Sequence, residues 1–267
     1  MDNSVSGARS GGAPWVGPAM IRVMRTTELL PALLDLLLPG GCGGCDLPGP
    51  SWCATCAARA GPPHWTRGRG GPPVLAAGRY GGPLRRALIA YKERGRRDLA
   101  AALAGLLATT LAAAMPPATW PGPAWAGGHR GPVRWIVPVP SRPAAARARG
   151  GDHVLVLCHR LAELLAVSGG HVAVAPALAL SGGALDSVGL DAGERTTNLT
   201  GRVRARRAGL PPPGARVLLV DDVVTTGATL RVCRRVLESA AVTPVAALVL
   251  CDASAGRPAV AAAVQGR

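Results

Sequence analysis

The segment from Val217 to Thr229 combines two acidic residues with a turn rich in threonine. Its four leading apolar residues predict a strand buried on both faces, and Asp221 and Asp222 follow at the carboxyl end, where open α/β sheets bind their ligands. The turn into a helix that comes next offers free backbone N–H groups, three hydroxyls and the positive end of a helix dipole, all of which favour an anion. The residues predicted to bind this anion are Thr225, Thr226, Gly227, Ala228 and Thr229.

An anion site beside two carboxylates needs a neutral group between them, because like charges repel. A ribose 5-phosphate suits this place, since its vicinal hydroxyls donate hydrogen bonds to carboxylates while its phosphate occupies the turn. In the alternative, the acidic residues and one threonine only cap the following helix. One acid and one threonine would suit that alternative, whereas two acids and three threonines around Gly227 favour the ribose-phosphate site, where a glycine lets the backbone approach the phosphate.

The same thirteen residues resemble the signature of type I phosphoribosyltransferases at every key position. The resemblance implies that Asp221 and Asp222 are the catalytic pair and contact the ribose 2- and 3-hydroxyls, with or without a bridging Mg²⁺, and that residues 225–229 bind the 5-phosphate. It also implies a diphosphate-binding loop after an earlier strand, the place that residues 137–142 occupy here. Backbone N–H groups of this loop and a guanidinium could hold the diphosphate, with an ordinary proline-rich turn as the alternative. The loop residues concerned are Val139, Pro140, Ser141 and Arg142.

Four cysteines form two Cys-x2-Cys pairs separated by seven residues. Each pair can present two thiolates on a tight turn, and two such turns make a tetrahedral Zn²⁺ site. Without a secretion signal, a metal is favoured over disulfides, and a redox role would need only one pair. A site closed by four protein ligands is structural and would stabilise a segment too poor in apolar residues to fold alone. The predicted ligands are Cys42, Cys45, Cys53 and Cys56.

The composition is basic, with 30 Lys and Arg residues against 15 Asp and Glu and a net charge of +15. Lys92 is the single lysine, and this excess of arginine over lysine indicates a general bias in amino-acid usage. The basic charge also favours anionic partners. The best apolar stretch, residues 29–38, is interrupted by Pro31 and Asp35 and is too short to span a membrane. No signal peptide is recognisable, and we expect a cytoplasmic protein.

Short apolar runs alternate with helical patterns along the chain, which predicts a parallel sheet with helices on both faces. Together with the resemblance of residues 217–229, this pattern leads us to expect an α/β fold, a type I phosphoribosyltransferase-like parallel sheet with flanking helices, preceded by a small four-cysteine zinc knuckle. The expected divisions are a disordered tail over residues 1–24, a helix and zinc module over 25–60, a helical region with a Pro/Gly-rich loop over 61–130, the main domain over 131–255, and a tail over 256–267. Residues 181–213 are expected to form a lid-like loop.

The order of these segments resembles the ComF family, which is associated with DNA uptake in competent bacteria. The resemblance covers about residues 33–252 and includes the cysteines, residues 80–85 leading to Lys92, the 137–140 and 149–150 motifs, and Arg195-x2-Asn198. Lys92 is expected to bind phosphate as a compact charge, with a random exposed lysine as the alternative. Arg195 is expected to close over the ligand, with a solvated charge as the alternative. After Arg149-Gly150, where the family usually has an aromatic residue, Asn and Gln, this chain has Gly151-Asp152-His153.

Two functions suit these features. The first is an enzyme that binds phosphoribosyl pyrophosphate with Mg²⁺ and transfers its phosphoribosyl group to an unknown acceptor, in the service of DNA uptake. The second is a non-catalytic protein that binds ribose phosphate and single-stranded DNA together with DNA uptake proteins. Trp52 and Trp65, in or beside the zinc module, could stack on bases in that case.

Overall fold

The computed structural model describes residues 41–67, 70–115, 133–167, 171–181 and 202–254. Contacts within the chain divide it at Leu38 and Pro39, and all the described residues belong to the unit from Pro39 to Arg267. Several predictions lie outside the described residues: the helix before the cysteines, Arg195 with Asn198, most of the lid-like loop, and both tails. No helix in the described ranges is both long enough and apolar enough to cross a bilayer.

A six-stranded sheet forms the centre of this unit, in the order β1-β2-β8-β7-β3-β4. All neighbouring strands are parallel except β1, which pairs antiparallel with β2 at one edge. A separate antiparallel pair consists of β5 and β6. The strands are β1 (His64–Arg67), β2 (Pro73–Arg79), β3 (Val133–Pro138), β4 (His171–Val174), β5 (Leu178–Leu180), β6 (Val203–Ala205), β7 (Arg216–Val224) and β8 (Thr243–Asp252).

Helices cover both faces of the sheet. Side chains of α2, α3 and α5 share one buried cluster with one face, and α6 with the β5–β6 pair shares a second cluster with the other face. The predicted α/β fold with a mostly parallel sheet is confirmed. The helices are α1 (Ala54–Ala58), α2 (Gly82–Glu93), α3 (Leu99–Ala114), α4 (Pro143–Ala148), α5 (His153–Val167) and α6 (Ala228–Glu238), and a 3-10 turn covers Arg207–Gly209.

Several elements differ from the patterns that predict them. The apolar periodicity over residues 84–114 predicts a long helix that Gly95 can divide. Gly95 does divide it, with a left-handed conformation of φ 70° between α2 and α3. The pattern over residues 144–167 predicts one helix, but these residues form two, separated at Gly150 and Gly151, which both have positive φ. β7 continues past the apolar run to Val224, so the two aspartates lie within the strand rather than after it.

The alternation of β7 decides where its acidic side chains point. Leu218 and Val220 belong to the cluster with α2, α3 and α5, whereas Val217 and Leu219 belong to the cluster with α6. Successive side chains of a strand point to opposite faces. Asp222, two residues after Val220, therefore faces the layer of α2, α3 and α5, and its neighbour Asp221 faces the opposite side.

Candidate active site

Asp222 lies at the centre of a cluster of polar side chains drawn from three elements. Its Oδ2 atom is 2.6 Å from the Nζ atom of Lys92, which lies in the last turn of α2. The same Oδ2 atom is 2.6 Å from Nε2 of His153, the first residue of α5. Asp222 and His153 are only 5% and 9% exposed, so this is a buried contact between charged and polar groups.

The electrostatics of Asp222 reflect these two partners. Burial alone would raise its pKa, because water no longer solvates the charge. The hydrogen bond from His153 and the positive charge of Lys92 outweigh burial, and the pKa of Asp222 lies below its ordinary value. The carboxylate is therefore ionised across the neutral pH range.

Asp221 has a different environment from its neighbour. It is half-buried, and its Oδ1 atom accepts a hydrogen bond of 2.8 Å from the backbone N–H of Asp222. Burial and the adjacent charge of Asp222 raise the pKa of Asp221 to about 8. Asp222 is therefore ionised, whereas Asp221 is hard to ionise. A bound cation or a hydroxyl donor at this pair would favour the ionised form of Asp221.

The predicted anion turn follows directly after β7. Gly227 has φ 69° and ψ 10°, the left-handed conformation that glycine adopts without strain, and it precedes the first turn of α6. The Thr226 hydroxyl accepts the N–H of Ala228 at 3.4 Å, and the Thr226 carbonyl accepts Nη1 of Arg231 at 3.1 Å. The amino terminus of α6 borders the same cavity as the acidic pair, and the positive end of the helix dipole favours an anion there.

The turn and the acidic pair line one open cavity of about 590 Å³. Lys92 and Arg142 reach the same cavity from α2 and from the loop after β3, so two cations line it together with the anion turn. The cavity is lined by Tyr80, Lys92, Arg142, Asp221, Asp222, Val223, Val224, Thr225, Thr226, Gly227, Ala228, Thr229, Leu230 and Ala253.

The loop after β3 is only partly directed at this cavity. The N–H of Val139 donates to the carbonyl of Val220 at 2.9 Å, and Pro140 has no N–H, so neither amide points at a ligand. The Ser141 hydroxyl donates to Oδ1 of Asp152 at 2.9 Å. Of the four predicted residues in this loop, Arg142 is the one that lines the cavity.

Asp152 and His153 stand where the ComF pattern has Asn and Gln, and the structure gives both a role. Oδ1 of Asp152 accepts the N–H groups of Val154 and Leu155 at 3.0 and 3.3 Å, which caps α5. His153, at the Gln position, contacts Asp222. Sequence reasoning missed His153, although its place after the Arg149-Gly150 motif was the signal that could have found it.

The four predicted metal ligands converge. The Sγ atoms of Cys42, Cys45, Cys53 and Cys56 all lie within 4.8 Å of one another. The Sγ atoms of Cys45 and Cys53 are 3.9 Å apart, close to the roughly 3.8 Å edge of a tetrahedron with Zn–S bonds of about 2.3 Å. The donor set and spacing fit a zinc ion.

Backbone N–H groups also point at these sulfurs, as they do around thiolates. Sγ of Cys42 accepts the N–H of Cys53 at 3.3 Å and that of Gly44 at 3.4 Å. Burial opposes ionisation of Cys42, but these hydrogen bonds outweigh it and lower its pKa to about 6. Burial raises the pKa of Cys56, which is only 2% exposed. The pKa values of Cys42 and Cys56 therefore move in opposite directions, and a bound cation would favour the thiolate form of both.

The cysteine module contacts α2, α3 and the turn between them. Nη2 of Arg96 donates to the carbonyl of Gly41 at 2.8 Å, and Nε of Arg86, in α2, donates to the carbonyl of Gly44. A Cβ atom on Gly43 would lie 2.8 Å from the side chain of Leu99, so the module packs closely on α3. The knuckle thus contacts the same helix, α2, whose last turn holds Lys92.

Part of the chain matches a known protein family. Residues 180–266 match the family model described as the phosphoribosyl transferase domain. No curated protein matches the chain in sequence.

Solved structures give weaker likenesses. A hypoxanthine phosphoribosyl transferase of Trypanosoma cruzi is 18% identical over 62% of this chain and 69% of that one, with a TM-score of 0.30. A glutamic acid mutant of an invariant aspartic acid in HPRTs is 18% identical over 60% of this chain and 69% of that one, with a TM-score of 0.28. TM-scores this low carry no argument about substrate. The family match, on its own, shows that residues 180–266 contain a phosphoribosyltransferase-type domain.

Proposed function

We propose that this protein binds phosphoribosyl pyrophosphate with Mg²⁺ and transfers its phosphoribosyl group to an acceptor. The observation that carries the proposal is the shared cavity, in which Asp221 and Asp222 adjoin the left-handed turn at Gly227 while Lys92 and Arg142 reach in from other elements. Carboxylates suit the ribose hydroxyls, the turn suits the 5-phosphate, and the two cations suit the diphosphate.

Mg²⁺ fits this site on the chemistry of its donors. Asp221 and Asp222 offer carboxylate oxygens beside an anion turn, and Mg²⁺ is usually held by one or two carboxylates together with substrate phosphates. A cation there would also favour the ionised form of Asp221, whose pKa is raised in its absence. When bound, the ion would neutralise charge on the departing diphosphate.

The residues themselves would act by position and charge. Asp221 and Asp222 would orient the ribose, so that the anomeric carbon faces the acceptor. Lys92 and Arg142 would stabilise the negative charge that develops as the diphosphate leaves. Arg195, together with Asn198, is proposed to close over the bound ligand.

The four cysteines are proposed to hold a structural Zn²⁺ with no open coordination position. This module, with the resemblance noted above, supports membership of the ComF family, a role in DNA uptake, and a location in the cytoplasm. The proposed divisions of the chain are a tail over residues 1–24, the zinc module with its helix over 25–60, a connecting region over 61–130, the catalytic domain over 131–255, and a tail over 256–267.

Release of pyrophosphate tests the proposal directly. Purified protein would be incubated with Mg²⁺, phosphoribosyl pyrophosphate and each of a panel of purine and pyrimidine bases, and pyrophosphate would be measured over time. We expect base-dependent release with one class of acceptor, and no release from the variant that carries both Asp221→Asn and Asp222→Asn. If the double variant bound phosphoribosyl pyrophosphate as well as the wild type does, the site assignment would be wrong.

A second function, binding without turnover, is favoured by one observation. Trp65 in the edge strand β1 is 46% exposed and can stack on a base. Trp52 is partly buried against the core, which leaves less of its ring free for stacking. Salt-sensitive binding of single-stranded DNA that Trp65→Ala weakens, together with ligand binding but no pyrophosphate release, would favour this second function.

A further inference from the structure

The two partners of Asp222 differ in how firmly they are held. Lys92 and His153 both contact the same oxygen, Oδ2, at 2.6 Å. One carboxylate oxygen therefore contacts two nitrogen atoms, of which the Lys92 ammonium carries a positive charge. The arrangement therefore raises the question of which donor stays when a ligand arrives.

His153 is fixed in place. Its side chain is 9% exposed and packs edge-on against the Tyr91 ring, with ring centres 6.0 Å apart. The Tyr91 hydroxyl donates to the backbone carbonyl of His153 at 2.7 Å, and Asp152 caps the helix that His153 begins. A 2.6 Å contact with a carboxylate oxygen is attractive only with the hydrogen on Nε2. Nδ1 has no hydrogen-bond partner among the described residues, so the ring has no second polar group to turn towards.

Lys92, in contrast, lies at the edge of the ligand cavity. Its side chain is 32% exposed and lines the cavity together with the anion turn. Its four-carbon chain allows the ammonium to move by several ångströms without moving α2. A diphosphate in the cavity would compete with Asp222 for this ammonium.

We propose that His153 is a positioning residue that keeps Asp222 paired while Lys92 transfers to the diphosphate of the ligand. The inference rests on the proposed function, because it needs a ligand that carries a diphosphate. Removing the only partner of a buried charge is strongly unfavourable. With His153 present, Lys92 can leave while Oδ2 of Asp222 keeps a donor. Without His153, Lys92 is the one donor to Oδ2 among the described residues, and it is retained.

The test compares two ligands that differ in the diphosphate. Dissociation constants for phosphoribosyl pyrophosphate and for ribose 5-phosphate would be measured by calorimetry, with Mg²⁺, on the full-length wild type, His153→Leu and His153→Gln. We expect His153→Leu to weaken the binding of phosphoribosyl pyrophosphate by about 10-fold or more, because the transfer of Lys92 then leaves the buried Oδ2 atom of Asp222 without either of its two protein donors. Ribose 5-phosphate lets Lys92 stay on Asp222, so its affinity should change by less than about 3-fold.

Further variants separate positioning from a structural role. His153→Gln keeps a side-chain N–H donor and should recover most of the preference for the diphosphate ligand. Lys92→Met should reduce that preference with His153 intact, and Arg142 accounts for the part that remains. His159→Leu, an exposed histidine in the same helix, is the matched control and should leave the ratio of the two affinities unchanged.

The outcomes are distinguishable. If the wild type binds neither ligand, the proposed function fails and this inference fails with it. If the wild type prefers phosphoribosyl pyrophosphate and His153→Leu keeps the same ratio of affinities, the inference alone is overturned. If His153→Leu does not fold, Tyr91→Phe removes only the hydroxyl that fixes His153, and it should lower the ratio by about 2- to 5-fold; an unchanged ratio would overturn the inference.

Discussion

The cysteine module and the Asp222 cluster each bring several polar side chains to one point, but they assemble differently. All four cysteines lie within residues 42–56, and two tight turns suffice to gather their sulfurs. The partners of Asp222 come from α2 and α5, with His153 separated from it by 69 residues. The first cluster needs only local structure, whereas the second exists only when the sheet and two helices are in place.

This difference assigns the two regions different tasks. A metal supplies the stabilising energy for a local cluster, since ligation offsets the cost of ordering a short chain. Packing of the sheet and helices stabilises the Asp222 cluster and so holds its charged groups at the ligand cavity. Damage to the first region should therefore release the metal and unfold the module, whereas damage to the second should change ligand binding together with the stability of the sheet and its helices.

The largest expected effect is loss of the metal. Cys45→Ser should reduce bound zinc from about one ion per chain to almost none, and should unfold the module, because structural zinc sites contribute about 10 kcal/mol of apparent binding energy. Zinc content by mass spectrometry and proteolysis of the module would measure this. Cys233→Ser, on the buried face of α6, is the control: it should weaken the fold while zinc stays bound. Full zinc content in Cys45→Ser would contradict the four-ligand site.

The next effect concerns the buried charge of the other region. Asp222→Asn should lower the free energy of unfolding by about 3 kcal/mol, because Lys92 and His153 lose a buried charged partner. The matched control is Asp98→Asn, which removes a surface ion pair with Arg96 and should cost less than about 1 kcal/mol. Urea unfolding of both variants measures the difference. Equal losses of unfolding free energy in the two variants would mean that the buried ion pair of Asp222 stabilises the protein no more than a surface ion pair does.

The pH dependence gives a third, smaller effect. The pKa of Asp221 is raised from an ordinary value near 4 to about 8, so the folded state holds a proton that the unfolded state has lost between these values. Stability should therefore fall by about 2 kcal/mol as the pH rises from about 5 to 8 in the absence of Mg²⁺. This is half of the roughly 4 kcal/mol that about 1.36 kcal/mol per pH unit gives over the same range, because solvent screens the partly exposed carboxyl group. Asp221→Asn should flatten this part of the curve, measured by urea unfolding at each pH. A wild-type curve that rises over the same range, and that Asp221→Asn leaves unaltered, would contradict the assignment.

The smallest effect concerns two glycines. Gly227→Ala should cost about 1 kcal/mol, because alanine is strained at φ 69°, and should also weaken phosphate binding at the turn. Gly105→Ala in the middle of α3 meets open space and should instead stabilise the protein by about 0.5 to 1 kcal/mol. Thermal unfolding and phosphate titration of both variants measure these shifts. A neutral Gly227→Ala would mean that the turn does not need its left-handed residue.

The same contrast explains how much the sequence could predict. Local patterns identified the cysteine cluster and most of the parallel strands, since spacing and period are properties of neighbouring residues. β1 lies in a stretch that reads as a Gly/Pro-rich connector, because its pairing with β2 comes from tertiary structure. The contact of His153 with Asp222 depends on where α5 begins relative to β7, and no local pattern encodes that distance.

The order of strands has a consequence for any shortened form of the protein. β7 and β8 lie at the middle of the sheet, and their outer neighbours, β3 and β2, both precede residue 180. A fragment limited to residues 180–266 would expose the hydrogen-bonding groups of two long apolar strands, and such edges pair with other chains. Soluble expression should therefore require the amino-terminal half, and a fragment cut at the family match should form aggregates.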